Sequence, residues 1–248
     1  MPAPTLVFNL LRRLERFAAN KLGKGYGAAT LEQEVAAMAS LLGTTPKLAI
    51  DIGGNVGGYS QVLRDRFPGL EIHVFEPART NLARLADRFG ADPLVRVNPN
   101  AVGSSAGSAT LFSDEPGSGL GSLTKRDLDF RGISFEVAEA VEVIRFETYW
   151  RDVLASRPID MIKLDIEGHE LDALAGMGEA LRHVGVVQFE FGGANIDTHT
   201  YLRDFFTLFA TAGFELYRIT PLGPQRLDRY RESEECFLTT NFIARRKP

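Results

Sequence analysis

Cysteine is nearly absent from this chain: Cys236 is the only one in 248 residues. That excludes an intrachain disulfide and any multi-cysteine zinc site, and it points to a reducing, cytoplasmic setting. No apolar run approaches the roughly 20 residues a membrane-spanning helix needs. The start also lacks a basic region followed by an apolar stretch and a small-residue cleavage site, so the chain is expected to stay where it is made. Long basic blocks are missing too. With 28 Lys and Arg against 32 Asp and Glu, the net charge is -4, and nucleic acid is an unfavoured partner. No internal repeat is visible.

The remaining composition is that of an ordinary globular enzyme, with 44% hydrophobic and 24% charged residues. Its length suits one α/β domain with extensions. We divide it into a helical extension over 1–45 and a main domain over 46–248. In the extension, Leu6, Val7, Leu10, Leu11, Leu14, Phe17 and Ala18 recur at helical spacing, with Arg12, Arg13 and Arg16 on the other side. This predicts a basic amphipathic helix over Leu6–Leu22, packed on the domain or on a partner subunit of a homo-oligomer. The alternative is peripheral contact with an anionic surface such as the inner membrane face. A second helix is expected over Leu31–Leu42.

Strand and helix patterns then alternate. Strands are expected at Lys47–Asp51, Glu71–Phe75, Leu94–Val97, Ile159–Asp165, Val186–Phe191 and Phe214–Ile219, and a last, antiparallel one at about Glu235–Arg245. Apolar strands separated by amphipathic helices imply a doubly wound, mainly parallel sheet covered on both faces. From Gly103 to Phe135 the chain is rich in Gly, Ser and charge, with strand character only at Ala109–Phe112. Such an insertion reads as a functional loop at the ligand-binding edge of the sheet.

The first strand stops at Asp51 and runs into Gly53-Gly54-Asn55-Val56-Gly57-Gly58. Glycines allow positive φ and close ligand approach, and the following helix start offers free N–H groups. Asn55 stands where a dinucleotide fingerprint would place its second glycine. The preceding acid repels a pyrophosphate but suits the cationic amino-acid end of S-adenosylmethionine, directly or through water. Glu76, 25 positions after Asp51 and at the end of the next strand, can accept hydrogen bonds from two ribose hydroxyls.

A second group lies in Ile159-Asp160-Met161-Ile162-Lys163-Leu164-Asp165-Ile166-Glu167-Gly168-His169-Glu170. Period two puts Lys163, Asp165 and Glu167 on one face if the strand persists that far. Charges in so apolar a strand must pair or serve a pocket. Methyl transfer to oxygen needs a base beside the accepting hydroxyl, and Asp165, His169 and Glu190 are the candidates. Lys163 is the expected partner of Glu190. The alternative makes Asp165 and Glu167 helix caps and His169 a solvated first-turn residue. Asn195, Asp197 and His199 form a polar loop suited to a polyol or to capping. No histidine ligand pair exists; Asp165, Glu167 and Glu190 could bind Mg²⁺, but no metal is the favoured reading.

The segments D-I-G-G-N-V-G-G-Y-S at Asp51–Ser60, F-E-P at Phe75–Pro77 and K-L-D-I-E-G-H-E at Lys163–Glu170 resemble the FkbM family of methyltransferases, from about Leu48 to Phe191. The resemblance implies a class I, Rossmann-like methyltransferase fold with a seven-stranded sheet. It implies S-adenosylmethionine as donor, S-adenosylhomocysteine as product, and O-methylation of a sugar or polyketide hydroxyl. By that likeness Asp51, Gly53, Gly54, Asn55, Gly57 and Glu76 bind the cofactor, with Asn100 and Ala101 near the adenine. Lys163, Asp165, Glu167 and Gly168 match the second motif, in which His169 replaces a frequent alanine. The C-terminal part is similar to members encoded with surface-polysaccharide genes. Two other classes are weighed: a nicotinamide-dependent sugar oxidoreductase, which lacks a Tyr-x-x-x-Lys pair here, and a non-catalytic scaffold in a glycan-assembly complex.

Overall fold

The structure is a computed structural model that describes residues 4–27 and 30–247. Helix α1 (Pro4–Lys21) precedes α2 (Leu31–Ala39), capped by the Thr30 hydroxyl. The βαβ segments follow as β1 (Leu48–Ile52), α3 (Gly58–Arg66), β2 (Glu71–Phe75), α4 (Arg79–Phe89) and β3 (Val95–Asn98). Short β4 (Ala101–Gly103), β5 (Gly107–Ser113) and β6 (Val137–Arg145) come next, then α5 (Phe146–Asp152), β7 (Ile159–Leu164), α6 (Glu170–Gly176) and β8 (Val184–Phe191). The chain ends with α7 (Ala194–Asp197), α8 (Leu202–Thr211), β9 (Phe214–Thr220), β10 (Gly223–Leu227) and β11 (Thr240–Arg246).

The main sheet has the order β10-β9-β11-β8-β7-β1-β2-β3. Neighbours from β8 to β3 are parallel, whereas β11 runs antiparallel between β8 and β9. It has eight strands rather than the expected seven. The extra one is β10, where Pro221-Leu222-Gly223-Pro224 reads as a loop but Gly223, at φ 103, turns the chain back onto β9. An edge strand needs only one bonded side, so it tolerates a proline that a central strand would not. The last strand begins at Thr240, five residues later than expected, since 235–239 pair with no strand.

Side-chain alternation on the strands builds two apolar layers. Leu48, Ile50 and Ile52 of β1 pack with Phe146, Trp150, Leu174, Phe205 and Phe209 of α5, α6 and α8. Ala49, Ile72 and Val74 pack on the other face with Val35, Met38, Leu63, Leu85 and Phe89 of α2, α3 and α4. Helix α2, assigned above to the extension, therefore shares the core of the main domain. Helix α1 does not: Leu6 to Lys21 are exposed apart from half-buried Ala19. No described helix is long and apolar enough to cross a membrane.

The Gly103–Phe135 segment holds more structure than its composition suggested. Strands β5 and β6 form an antiparallel ribbon, with β4 on the other side of β6, as a separate three-stranded sheet. β6, just beyond that segment, escapes notice because Glu139 interrupts its inward face and Ala138, Ala140 and Glu142 fill its outward one.

A row of polar residues interrupts the α2–α3 face. Asp51, Lys163 and Gln188 are register partners on β1, β7 and β8, and all three are buried. Gln188 donates to Glu34 of α2 at 2.7 Å and accepts from the Tyr59 hydroxyl of α3 at 2.9 Å. Burial pushes Glu34 up to about 7, against the opposing pull of Lys163. A carboxyl raised on folding contributes stability that is complete below its unfolded value and is lost as pH rises through the folded one. The melting temperature should thus fall between about pH 4.5 and pH 7, and Glu34→Gln should shrink that fall by roughly 5 °C in thermal melts.

Candidate active site

The cleft opens at the C-terminal edge of β1, β2 and β7 and encloses about 700 Å³, its mouth included. Its first wall is the turn after β1. Gly53 lies at φ 86, and a Cβ there would overlap the Asp165 carbonyl oxygen. Asn55 also takes positive φ, at 47°, a conformation asparagine accepts more readily than most residues. A Cβ on Gly54 would strike the Val74 side chain. Gly57, at φ 80 against Phe89 and Leu85, shapes the turn from behind.

Glu76 closes the next side of the cleft. Its Oε2 accepts from Asn55 N at 2.8 Å and its Oε1 from Ala78 N at 2.9 Å. Burial raises its pKa, and these backbone donors counter the rise. Each oxygen keeps a further lone pair for a ligand. The buried side-chain oxygens of Asn55 and Asn81 have no partner, and both residues line the cleft. Unpaired buried acceptors are costly, so both are explained if a ligand brings donors. Phe75, Val102, Leu111 and Leu123 supply apolar floor. Asn100 and Ala101 also line the cleft.

Asp51 stands elsewhere. It is fully buried behind the glycine turn and is not a lining residue. Ser60 donates to its Oδ2 at 2.6 Å, while Oδ1 is unpartnered. Burial raises its pKa and the nearby Lys163 opposes this. Any contact with a ligand in the cleft therefore runs through an intervening group rather than directly.

The opposite wall is acidic. β7 ends at Leu164, and Glu167 adopts φ 51, so the expected period-two face does not persist to Glu167. The chain turns sharply instead, around Glu170, which accepts from Ile166 N and Gly168 N at 2.9 and 3.1 Å. That turn brings carboxylate oxygens of Asp165, Glu167 and Glu190 within 4.8 Å of one another. Burial lifts Glu167 to about 7, with Asp165 adding to the rise and Arg126 opposing it. Burial likewise holds Glu190 well above the carboxylate range, reinforced by Asp165, Glu167 and Glu170. Asp165, Glu167 and His169 line the cleft; Glu190 lies behind them.

Lys163 is not the partner of Glu190. Its ammonium donates to Asp165 Oδ2 at 2.8 Å and sits 4.9 Å from the Tyr59 ring centroid, because register places it on the α2–α3 side with Asp51 and Gln188. It orients Asp165 from beneath. His169 faces Thr124 Oγ1 at 3.0 Å, and burial lowers its pKa, keeping it neutral at pH 7. Asn195 is used within its own turn, accepting from Gly192 N and donating to Thr200.

The insertion is docked over this wall by residues that the sequence did not single out. Ser122 donates to the Glu167 carbonyl at 2.8 Å. Buried Arg126 bonds Glu167 at 2.6 Å and Asp197 at 3.0 Å. Nothing in the Gly- and Ser-rich stretch distinguishes Arg126 from its charged neighbours, since its partners are 41 and 71 residues away.

Fold and site together are a doubly wound sheet with a cleft at its C-terminal edge and an acid cluster beside it. Residues 51–216 match the methyltransferase FkbM domain, and the chain belongs to the FkbM methyltransferase family, with a class I methyltransferase sheet. Membership sets the oxidoreductase reading aside. Among curated proteins, 2-O-methyltransferase NoeI of Sinorhizobium fredii is 24% identical over 198 residues, covering 75% of this chain and 78% of its own. Methyltransferase 1 of Beauveria bassiana is 20% identical over 144 residues, 52% of this chain and 58% of its own. The N-terminal domain of EvdMO1 with SAH bound aligns at a TM-score of 0.49 with 12% identity, covering 89% of this chain and 82% of that one.

Removing Arg126 leaves two partly buried carboxylates unpaired. Arg126→Met should cost roughly 3 kcal/mol and speed hydrogen exchange across residues 114–135 while β1 and β7 stay protected; unchanged exchange in the insertion would show that Arg126 does not hold it.

Proposed function

We propose that the protein transfers a methyl group from S-adenosylmethionine to a hydroxyl of a sugar. One observation carries this: the cleft joins a nucleoside-shaped end, built from Gly53, Asn55, Glu76 and Asn81, to an acid cluster at Asp165, Glu167 and Glu190. The donor supplies an electrophilic methyl on a sulfonium and leaves as S-adenosylhomocysteine. Glu76 would hold its ribose hydroxyls and the Asn55 and Asn81 oxygens its remaining donors. Phe75, Val102, Leu111 and Leu123 would pack its heterocycle.

At the other end the protein presents acceptors of hydrogen bonds, the match for a polyhydroxylated ligand. Asp165, held by Lys163, faces the cleft and can orient the reacting hydroxyl. As that oxygen bonds to carbon, its proton passes to the carboxylate cluster. The raised values at Glu167 and Glu190 suit a base working near neutral pH. Ser122 and Arg126 keep the insertion over this end, excluding water. The 2-O-methyltransferase relative supports oxygen as the accepting atom.

Mg²⁺ is less well supported. The three carboxylates could contact it, but Arg126 and Lys163 already neutralise Glu167 and Asp165.

Calorimetry with S-adenosylhomocysteine should show binding by the full chain, weakened on the order of a hundredfold in Glu76→Ala, which loses charged acceptors. No heat from folded protein would refute the donor assignment. With an acceptor substrate in hand, Asp165→Asn should lower kcat on the order of a hundredfold or more at nearly unchanged donor affinity, and kcat should rise with pH through about 7. Donor binding without transfer to any glycan would favour the scaffold reading.

A further inference from the structure

Helix α1 presents an apolar arc made by Leu6, Val7, Leu10, Leu14 and Phe17, each more than half exposed. Nothing among the described residues covers it. A helix this apolar on one side is not stable against water alone; it needs an apolar medium or partner. Arg12 and Arg16 lie on the opposite side, and Arg13 borders the arc beside Leu6. Over residues 4–24 five cations stand against Glu15 alone, a net of +4, whereas the chain as a whole is -4, leaving -8 on the remainder. The positive charge is concentrated where the apolar surface is.

The root of the helix is fixed to the domain. Lys24 bonds the Ser233 carbonyl and lies 3.8 Å from Glu234. Gly25 N donates to Thr240 Oγ1 at 3.0 Å, and Gly23 packs so tightly on Ile219 and Arg218 that a Cβ would overlap. Ile219 lies at the C-terminal end of β9. Thr240 opens antiparallel β11 opposite Phe191, the last residue of β8. The helix therefore springs from the same edge of the sheet as the cleft mouth. Other exposed large apolar residues follow or precede strand ends at this edge: Leu222 (87% exposed) after β9, Leu238 before β11, and Ile196 and Tyr201 after β8, while Phe130 (81%) is exposed on the insertion.

We infer that α1 docks flat on an anionic lipid surface and sets the cleft mouth against it, so that the acceptor is a sugar carried on a membrane lipid. Basic amphipathic helices bind such surfaces by apolar burial plus electrostatic attraction. The acidic body would itself be repelled, so the helix alone supplies the attraction and fixes which edge faces the lipid. The nature of the acceptor rests on the methyl-transfer reading of the cleft; the docking of α1 does not.

The full chain should sediment with vesicles of phosphatidylglycerol and phosphatidylcholine, and little with phosphatidylcholine alone. Added salt should weaken this binding. Neutralising Arg12, Arg13 and Arg16 to Gln should weaken it on the order of a hundredfold, and Leu10→Glu with Leu14→Glu should abolish it. Both variants should bind S-adenosylhomocysteine like the parent, which separates loss of docking from failure of the donor assignment. For orientation, a Leu222→Trp variant should shift its emission to the blue on vesicle addition over the constant signal of buried Trp150. Absence of lipid-dependent sedimentation by folded protein overturns the inference, as does a dimer that Leu10→Glu with Leu14→Glu dissociates while no vesicle binding is seen. An unshifted Leu222→Trp spectrum on bound protein overturns the orientation.

Discussion

The buried ammonium of Lys163 is the contact on which the cleft depends. Burial alone would depress its pKa, but Asp165, Asp51 and Glu34 together drive it upward, so it stays charged. One cation inside the sheet is tolerable because carboxylates from two strands and a helix share it. In exchange it fixes several elements at once. Asp165 is held by a hydrogen bond just past β7, the Tyr59 ring of α3 lies against its charge, and Asp51 of β1 and Glu34 of α2 are drawn to it electrostatically. Removing either sign would leave the other uncompensated in an apolar layer, which is why the row reads as a unit rather than as separate catalytic groups.

Geometry sorts the polar residues by depth. Behind the glycine turn, Asp51, Lys163, Gln188 and Glu34 are structural and electrostatic; in front, Glu76, Asn81, Asp165, Glu167 and His169 touch the cleft. The glycine turn is the partition. Gly53 must be glycine because its φ is positive and because the Asp165 carbonyl occupies the place of a side chain. The turn thus links the Glu76 end of the cleft to the acid end through one backbone contact.

Much of this was legible in the residues. The glycine turn, Glu76 and the Lys163-to-Glu170 motif are local patterns, and local patterns carry strand ends and turns with them. Three things were not. β10 hides in a Pro- and Gly-rich loop because edge strands need no apolar face. The depth of Asp51 and Lys163 follows from inter-strand register, which a single strand does not reveal. Arg126 acts across long sequence separations, and an arginine inside a polar insertion carries no mark of its partners. The extension also divides differently from its sequence boundary: α2 brings Glu34 and Met38 into the core, while α1 stays outside.

That division has a physical logic. A helix whose apolar arc were needed for folding would be buried, as Val35 and Met38 of α2 are. The arc of α1 adds nothing to the core, yet its root is tied down at Gly23, Lys24 and Gly25 beside the ends of β8 and β9. A freely tethered helix could attach the domain to a surface in any orientation. One rooted at the cleft edge constrains the orientation, and the exposed Leu222 and Leu238 at the same edge extend the contact beyond the helix. On the inference that α1 docks on lipid, recruitment and substrate access would become one geometric property, because the helix is rooted at the edge toward which the acid cluster opens.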